Sequence, residues 1–182
     1  MNAATEKPRG RRAPPDEFGL SLGTNLGDRM AHLRAARAAL AAVPEVTVTA
    51  ASPVYETEPV DVAESAANLF FLNAVLIIRT PFSAEELSER AHAVEDRLGR
   101  VRGQDPNAPR TIDVDLIYGG ERVIRRPELT LPHPEWNRRR FVAGPLADVR
   151  PDLLLPGETR TCRRVLADLP PKPAIAMFRK TW

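Results

Sequence analysis

The chain has 182 residues, with 26 Lys and Arg against 24 Asp and Glu, for a formal charge of +2. That length supports one packed core without staples, and the charges are too evenly balanced for the concentrated basic face of a phosphate-backbone binder. A single cysteine, Cys162, excludes an intrachain disulfide, and the separation of His32, His92 and His133 excludes a Cys/His zinc spacing.

Residues 1–15 hold Pro, Arg and Ala with almost no large apolar side chains, so they are read as a disordered tail and residues 16–182 as one domain. The start lacks the apolar stretch of a signal peptide. The most apolar run, residues 69–78, is too short for a bilayer and contains Asn73, so a soluble, cytoplasmic chain is expected. Residues 18–24 read as a strand, and the turn Gly23-Thr24-Asn25-Leu26-Gly27-Asp28 opens a helix that Asn25 or Asp28 can cap. Met30, Leu33, Leu40 and Val43 share a face of that helix, and Pro44 closes it. Val46, Val48 and Ala50 alternate with Thr47 and Thr49 as a second strand.

Residues 53–67 show no period and are read as a long functional loop. A third strand over residues 69–80 is apolar on both faces and interrupted by Asn73. A buried amide needs partners, either a neighbouring loop or a polar heterocycle. Ser83 and Glu86 form a capping box, and Leu87, Ala91, Val94 and Leu98 recur at helical spacing up to Gly99. Residues 100–109 are a second irregular loop before a strand through Asp113 and Asp115. The order βαββαβ predicts an α+β, ferredoxin-like antiparallel sheet with both helices on one face and the other face open for a site. Residues 121–124 are expected to pair back across Gly119-Gly120, followed by a helix over 135–149 broken near Gly144-Pro145 and a short helix over 162–169.

Strand alternation puts Asp113 and Asp115 on one face, about 7 Å apart at their Cα atoms, with Ile112, Val114 and Leu116 on the other. Alone, such a pair reads first as a half-buried strand with a solvated acidic face. Here Arg100, Arg102 and Pro109-Arg110 lie just upstream. Carboxylates for a hard divalent ion and guanidinium groups for oxyanions, gathered on one strand, fit metal-assisted phosphoryl transfer. There is no Gly-x-x-x-x-Gly-Lys-Ser/Thr loop, dinucleotide fingerprint or Gly-x-Ser-x-Gly elbow.

Several separated motifs stand together in order: Leu22-Gly-Thr-Asn-Leu26, Tyr55-Glu-Thr57, Phe71-Leu-Asn73, Gly99-Arg-Val-Arg102, Ala108-Pro-Arg-Thr-Ile-Asp-Val-Asp115, and Leu131-Pro-His133 with Arg139 and Phe141. This set resembles the 6-hydroxymethyl-7,8-dihydropterin pyrophosphokinase family of folate biosynthesis, over residues 18–169. The resemblance implies transfer of the β,γ-diphosphate of ATP to the pterin hydroxymethyl group, with release of AMP and use of two Mg²⁺ ions. It implies that Asp113 and Asp115 bind the ions and that Arg100 and Arg110 neutralise the transferring group. Arg102, Leu116, Thr130, His133 and Arg139 would meet the nucleotide. Phe71 and Phe141 would sandwich the pterin, with Thr57, Val60 and Asn73 at its polar edge. A monomer acting on these small molecules is expected, without nucleic acid or membrane partners. The chain departs from the family pattern at Glu58, where a proline aligns, at Phe71, where some relatives have tyrosine, and at Pro106 and Asn107. Two other readings remain: a ferredoxin-like module stacking RNA bases or nucleotides on Phe71 and Phe141, and a two-metal phosphate-ester hydrolase.

Overall fold

The computed structural model describes residues 16–59, 68–103 and 108–182. The elements in these residues run β1 (Asp16–Thr24), α1 (Arg29–Ala41), β2 (Thr47–Ala51), β3 (Val54–Thr57), β4 (Phe71–Thr80), α2 (Ala84–Arg97), β5 (Asp113–Gly119), β6 (Ile124–Arg125), β7 (Thr130–Leu131), α3 (Arg140–Val149), α4 (Cys162–Asp168) and β8 (Ile175–Arg179). The main sheet has the order β5-β1-β4-β3-β8, and β2 also pairs with β4. All its pairings are antiparallel.

Period-two alternation sorts the side chains of these strands onto two faces. Phe18, Leu20 and Leu22 of β1, Leu72, Ala74, Leu76 and Ile78 of β4, and Val114 and Leu116 of β5 point to one side. There they bury Leu33, Ala36 and Leu40 of α1 and Leu87, Ala91 and Val94 of α2. Burying each large side chain contributes about 1.5–3 kcal/mol, so Leu20→Ala, at the centre, should cost about 2–5 kcal/mol. Asp28 starts α1 by accepting from the Ala31 N–H at 3.0 Å, and the Ser83/Glu86 capping box starts α2. The predicted ferredoxin-like sheet and its two helices on one face are present.

The opposite face is half covered. Val75 and Ile77 of β4 and Ile117 of β5 pack against Val142, Ala143 and Leu146 of α3 and against Cys162 and Val165 of α4. These helices cover one end of the strands and leave the end at Asn73, Gly23 and Asp113 uncovered. Between β1 and β5, Phe18 stands opposite Gly119 and Gly19 opposite Tyr118. A Cβ on Gly19 would lie 2.3 Å from the Tyr118 ring, and one on Gly119 2.4 Å from the Phe18 ring, so each glycine makes room for its partner's aromatic ring. The Tyr118 hydroxyl donates to Glu17 at 2.7 Å, and Arg150 grips the same carboxylate at 2.7 and 2.9 Å, tying the end of α3 to β1.

Several expectations need correction. Residues 54–57 form a strand, not a loop. β2 and β3 run along one partner as a single interrupted strand, with Tyr55 opposite Asn73 and Ala51 opposite Leu76. Pro53 lacks an N–H, and Ser52 carries the ladder past it: its N–H donates to the Val75 carbonyl at 2.9 Å while its hydroxyl accepts from the Val75 N–H at 2.9 Å. With β2 and β3 counted as one, the βαββαβ order holds. Ile124–Arg125 pairs with Thr130–Leu131 and not back across Gly119-Gly120, because the Gly120 N–H donates to the Glu17 carbonyl at 2.8 Å. The third helix begins at Arg140, after turns, and continues through Pro145 without a break. The last strand, β8, was not foreseen. Asn25 is no helix cap: its side chain accepts from the Arg110 N–H at 2.8 Å and its N–H donates to the Arg110 carbonyl at 3.2 Å, fixing the approach to β5. The tail over 1–15, Val60, and Pro106 with Asn107 fall outside the described residues. Among the described residues, no helix is long and apolar enough to cross a membrane.

Candidate active site

The uncovered end of the second face is an open cleft. Its floor follows from the sequence of β1, whose residues on this face, Ser21 and Gly23, are small. In the register, Gly23 lies between Asn73 of β4 and Asp113 of β5, and Ser21 between Val75 and Asp115. Small residues in the middle strand leave space between a polar row on one neighbour and an acidic row on the other. A Cβ on Gly23 would come within 3.1 Å of Asn73 Oδ1, so even a methyl group would press on that amide.

Phe71, at the start of β4, and Phe141, near the start of α3, line the cleft with Thr57, Glu58, Asn73, Arg110 and Arg139. Buried Asn73 donates from Nδ2 to Thr57 Oγ1 at 2.8 Å across the β3–β4 pair. Its Oδ1 accepts no hydrogen bond among the described residues, leaving an acceptor for a polar ring edge. The Arg110 guanidinium lies 5.6 Å from the centre of the Phe71 ring, and that of Arg139 lies 5.7 Å from the Phe141 ring. Two aromatic rings, an amide and a hydroxyl form a slot for a flat polar heterocycle.

The other wall is charged. Asp113 takes an ion pair from Arg100 and another from Arg110, whose Nε is 3.2 Å away. Asp115 makes no ion pair or hydrogen bond among the described residues. Its open side faces the cleft, while protein crowding on its other sides raises its pKa above the ordinary carboxylate range. Asp113 and Glu95 push the same way, against Arg100 and Arg110. Two hard oxygen donors on one face, one without a partner, suit a divalent cation whose other ligands are phosphate and water. Among the described residues, no group of three or more His, Cys, Asp and Glu forms a self-sufficient metal cage.

A second cleft opens along the free edge of β5, between α2 and the β6–β7 hairpin. Leu116, Thr130, His92 and His133 line it, and it shares Asp115 and His133 with the first cleft. His133 Nδ1 accepts from the Glu135 N–H at 3.1 Å. Burial, then Arg139, lowers the His133 pKa, so the neutral ring carries its proton on Nε2 as a donor.

The structure thus brings Thr57, Phe71, Asn73, Arg110, Asp113, Asp115, His133, Arg139 and Phe141 to one cleft, and Leu116, Thr130 and His133 to the adjoining one. Arg100 and Arg102 line neither. They lie behind β5 on Glu95, which pairs with both, and Arg102 also pairs with Asp96. Sequence reasoning passed over Glu95, which is 1% exposed and accepts from the Val114 N–H at 2.7 Å. Its spacing held a signal: Leu87, Ala91 and Glu95 are each four apart, so the carboxylate continues the buried stripe of α2.

A ferredoxin-like sheet whose two adjoining clefts meet at Asp115 and His133 suits a small-molecule transferase, one cleft shaped for a flat ring and the shared wall carrying an acidic group for a metal-bound polyanion. Residues 19–151 match the family described as 7,8-dihydro-6-hydroxymethylpterin-pyrophosphokinase (HPPK). The chain is 39% identical over 130 residues to the 2-amino-4-hydroxy-6-hydroxymethyldihydropteridine pyrophosphokinase of Bacillus subtilis, covering 71% of this chain and 75% of that one. It is 40% identical over 153 residues to the enzyme of the same name from Methylorubrum extorquens, covering 84% and 92%. Among solved structures, Plasmodium falciparum HPPK-DHPS with pterin and p-hydroxybenzoate shares the fold at a TM-score of 0.66 and 14% identity, over 88% of this chain and 44% of that one. The chain belongs to the HPPK family and is a pyrophosphokinase of folate biosynthesis.

Proposed function

We propose that the chain transfers the β,γ-diphosphate of ATP to the hydroxymethyl group of 6-hydroxymethyl-7,8-dihydropterin, with AMP as the other product. The reading rests on the wall shared by the two clefts: a ring held between Phe71 and Phe141 and a nucleotide beside Leu116, Thr130 and His133 would both reach Asp115. The acceptor hydroxyl oxygen bonds to the β-phosphorus and gives up its proton to solvent as the bond from that phosphorus to the AMP oxygen breaks. Asp113 and Asp115 would hold two Mg²⁺ ions, which supply charge neutralisation on the phosphate oxygens. Asn73 Oδ1 and Thr57 orient the ring edge, so the hydroxymethyl arm is presented in one direction. Arg110, with Arg100 reaching past Asp113, meets negative charge on the transferring group; Arg139, and Arg102 once it leaves Glu95 and Asp96, bind the nucleotide phosphates, and the His133 Nε2–H donates to a phosphate oxygen.

The same rings would suit RNA bases, but Asp113 and Asp115 on the opposite wall repel an unmetallated phosphate chain. The unit carrying the activity is residues 16–182, acting as a cytoplasmic monomer, and removal of residues 1–15 should leave the rate unchanged. Substitutions in the two clefts test the assignment. Phe71→Ala and Phe141→Ala should raise KM for the pterin about tenfold or more with KM for ATP unchanged, and Thr130→Ala should do the reverse. Equal effects on both substrates from each substitution would refute two separate subsites.

A further inference from the structure

We propose that Glu95 is a positioning residue for diphosphate transfer, fixing from behind the strand both the backbone between Asp113 and Asp115 and the place of Arg100. The inference rests on the function proposed above and goes beyond it, since Glu95 touches neither cleft.

Glu95 has three partners: the backbone between the two aspartates, the arginine that also pairs with Asp113, and Arg102 beside it. Its Oε1 accepts from the Val114 N–H at 2.7 Å and from Arg100 Nη1, while its Oε2 accepts from Arg102 Nη2. β5 is the outermost strand of the sheet, so N–H groups on its free side have no neighbouring strand to bond. Val114 carries one of them, and it is the residue between the two aspartates. The Glu95 carboxylate replaces the missing strand at that point and holds the peptide geometry that turns Asp113 and Asp115 toward the cleft.

Arg100 Nη1 is shared between Glu95 and Asp113. If Asp113 turns to a cation, Arg100 keeps its bond to Glu95 and stays beside the acidic pair, where an unheld side chain would spread over many rotamers. A carboxylate 1% exposed is costly to bury unless fully paired, and this one is placed where its pairing orders the backbone between the two aspartates and the arginine beside Asp113.

Glu95→Gln separates positioning from folding. The amide oxygen still accepts from Val114, while Arg100 keeps Asp113 and Arg102 keeps Asp96. The melting temperature should therefore move little. Turnover should fall on the order of tenfold to a hundredfold, because the arginine is no longer held in place, with KM for the pterin unchanged. Glu95→Asp keeps the charge but withdraws it by one methylene, and should give a smaller loss of kcat.

The deciding comparison is steady-state AMP formation by Glu95→Gln, Arg100→Ala and the double variant. In the Arg100→Ala background, Glu95→Gln should cost less than about threefold further, since its effect passes mainly through that arginine. A wild-type kcat for Glu95→Gln and Glu95→Asp, or losses that multiply in the double variant, would overturn the inference while leaving the proposed reaction standing. A wild-type kcat for Arg100→Ala would also overturn it. Absence of AMP formation by the unsubstituted protein would instead overturn the proposed reaction, and this inference with it.

Discussion

At the aromatic end of the cleft, Asn73 and Thr57 hold each other by one neutral hydrogen bond of 2.8 Å beside Phe71 and Phe141. At the acidic end, Asp113 pairs with Arg110 and Arg100, while behind the strand Glu95 and Asp96 hold Arg100 and Arg102. The first arrangement is preformed in its polar part, because the Asn73–Thr57 bond leaves Asn73 Oδ1 open to an entering ring. The second is a set of charges that, Asp115 apart, satisfy one another, and a polyanion with its cations must exchange partners to use it. Recognition of the ring thus depends on shape and a few fixed dipoles, whereas capture of the phosphates depends on rearranging charge.

The strongest way to break this comparison is at Asp115. Asp115→Asn should lower turnover by about three orders of magnitude or more across a Mg²⁺ titration, because half of the acidic pair is lost. The same change removes like-charge repulsion from Asp113, so the melting temperature should hold or rise. Circular dichroism and initial rates would show the two effects moving apart. Near-normal turnover at ordinary Mg²⁺ would remove Asp115 from the site.

At the aromatic end the expected effects are smaller and of another kind. Asn73→Ala leaves the Thr57 hydroxyl without its partner and opens a space beneath the rings. It should cost about 1–3 kcal/mol of stability and raise KM for the pterin, with KM for ATP unchanged. If denaturant unfolding and kinetics showed Asn73→Ala raising KM for ATP instead, the two ends would not be separate in function.

The smallest effect is expected away from both ends, at the tie between β1 and the end of α3. Arg150 holds the Glu17 pKa below its ordinary value, helped by Tyr118, with burial acting in the opposite direction. A carboxylate with a depressed folded pKa stabilises the protein fully above its unfolded pKa and loses that contribution as pH falls through the folded value. Glu17→Gln should therefore cost about 1 kcal/mol near neutral pH, with the deficit vanishing in the acid range and kcat unchanged. Thermal melts of both proteins across pH would check it; a deficit that grows on acidification would reverse the sign of the argument.

The sequence made the two ends unequally legible. Alternation alone put Asp113 and Asp115 on one face, and the apolar run of β4 made Asn73 conspicuous. Long periodic elements such as α2 and β4 declared themselves, because many residues repeat the same message. Val54–Thr57 did not, being only four residues with strand partners far away in the chain, and β8 depends on the same distant edge. The pairing of β6 was misread because Gly119-Gly120 looks like a hairpin turn, while a backbone bond to Glu17 leads the chain elsewhere. Phe141 reaches the cleft through the packing of α3, which local pattern cannot supply. Arg100 and Arg102 were readable as basic groups beside an acidic strand, but their engagement by Glu95 depends on how α2 lies against β5.

The central claim is diphosphate transfer between the two clefts, and the products of the reaction test it most directly. Pure protein incubated with Mg²⁺, ATP and 6-hydroxymethyl-7,8-dihydropterin should give one AMP for each pterin consumed and no ADP, resolved by ion-exchange chromatography. Formation of ADP would place the attack on the γ-phosphorus, and ATP consumption indifferent to the pterin would mean hydrolysis; either result would contradict the account.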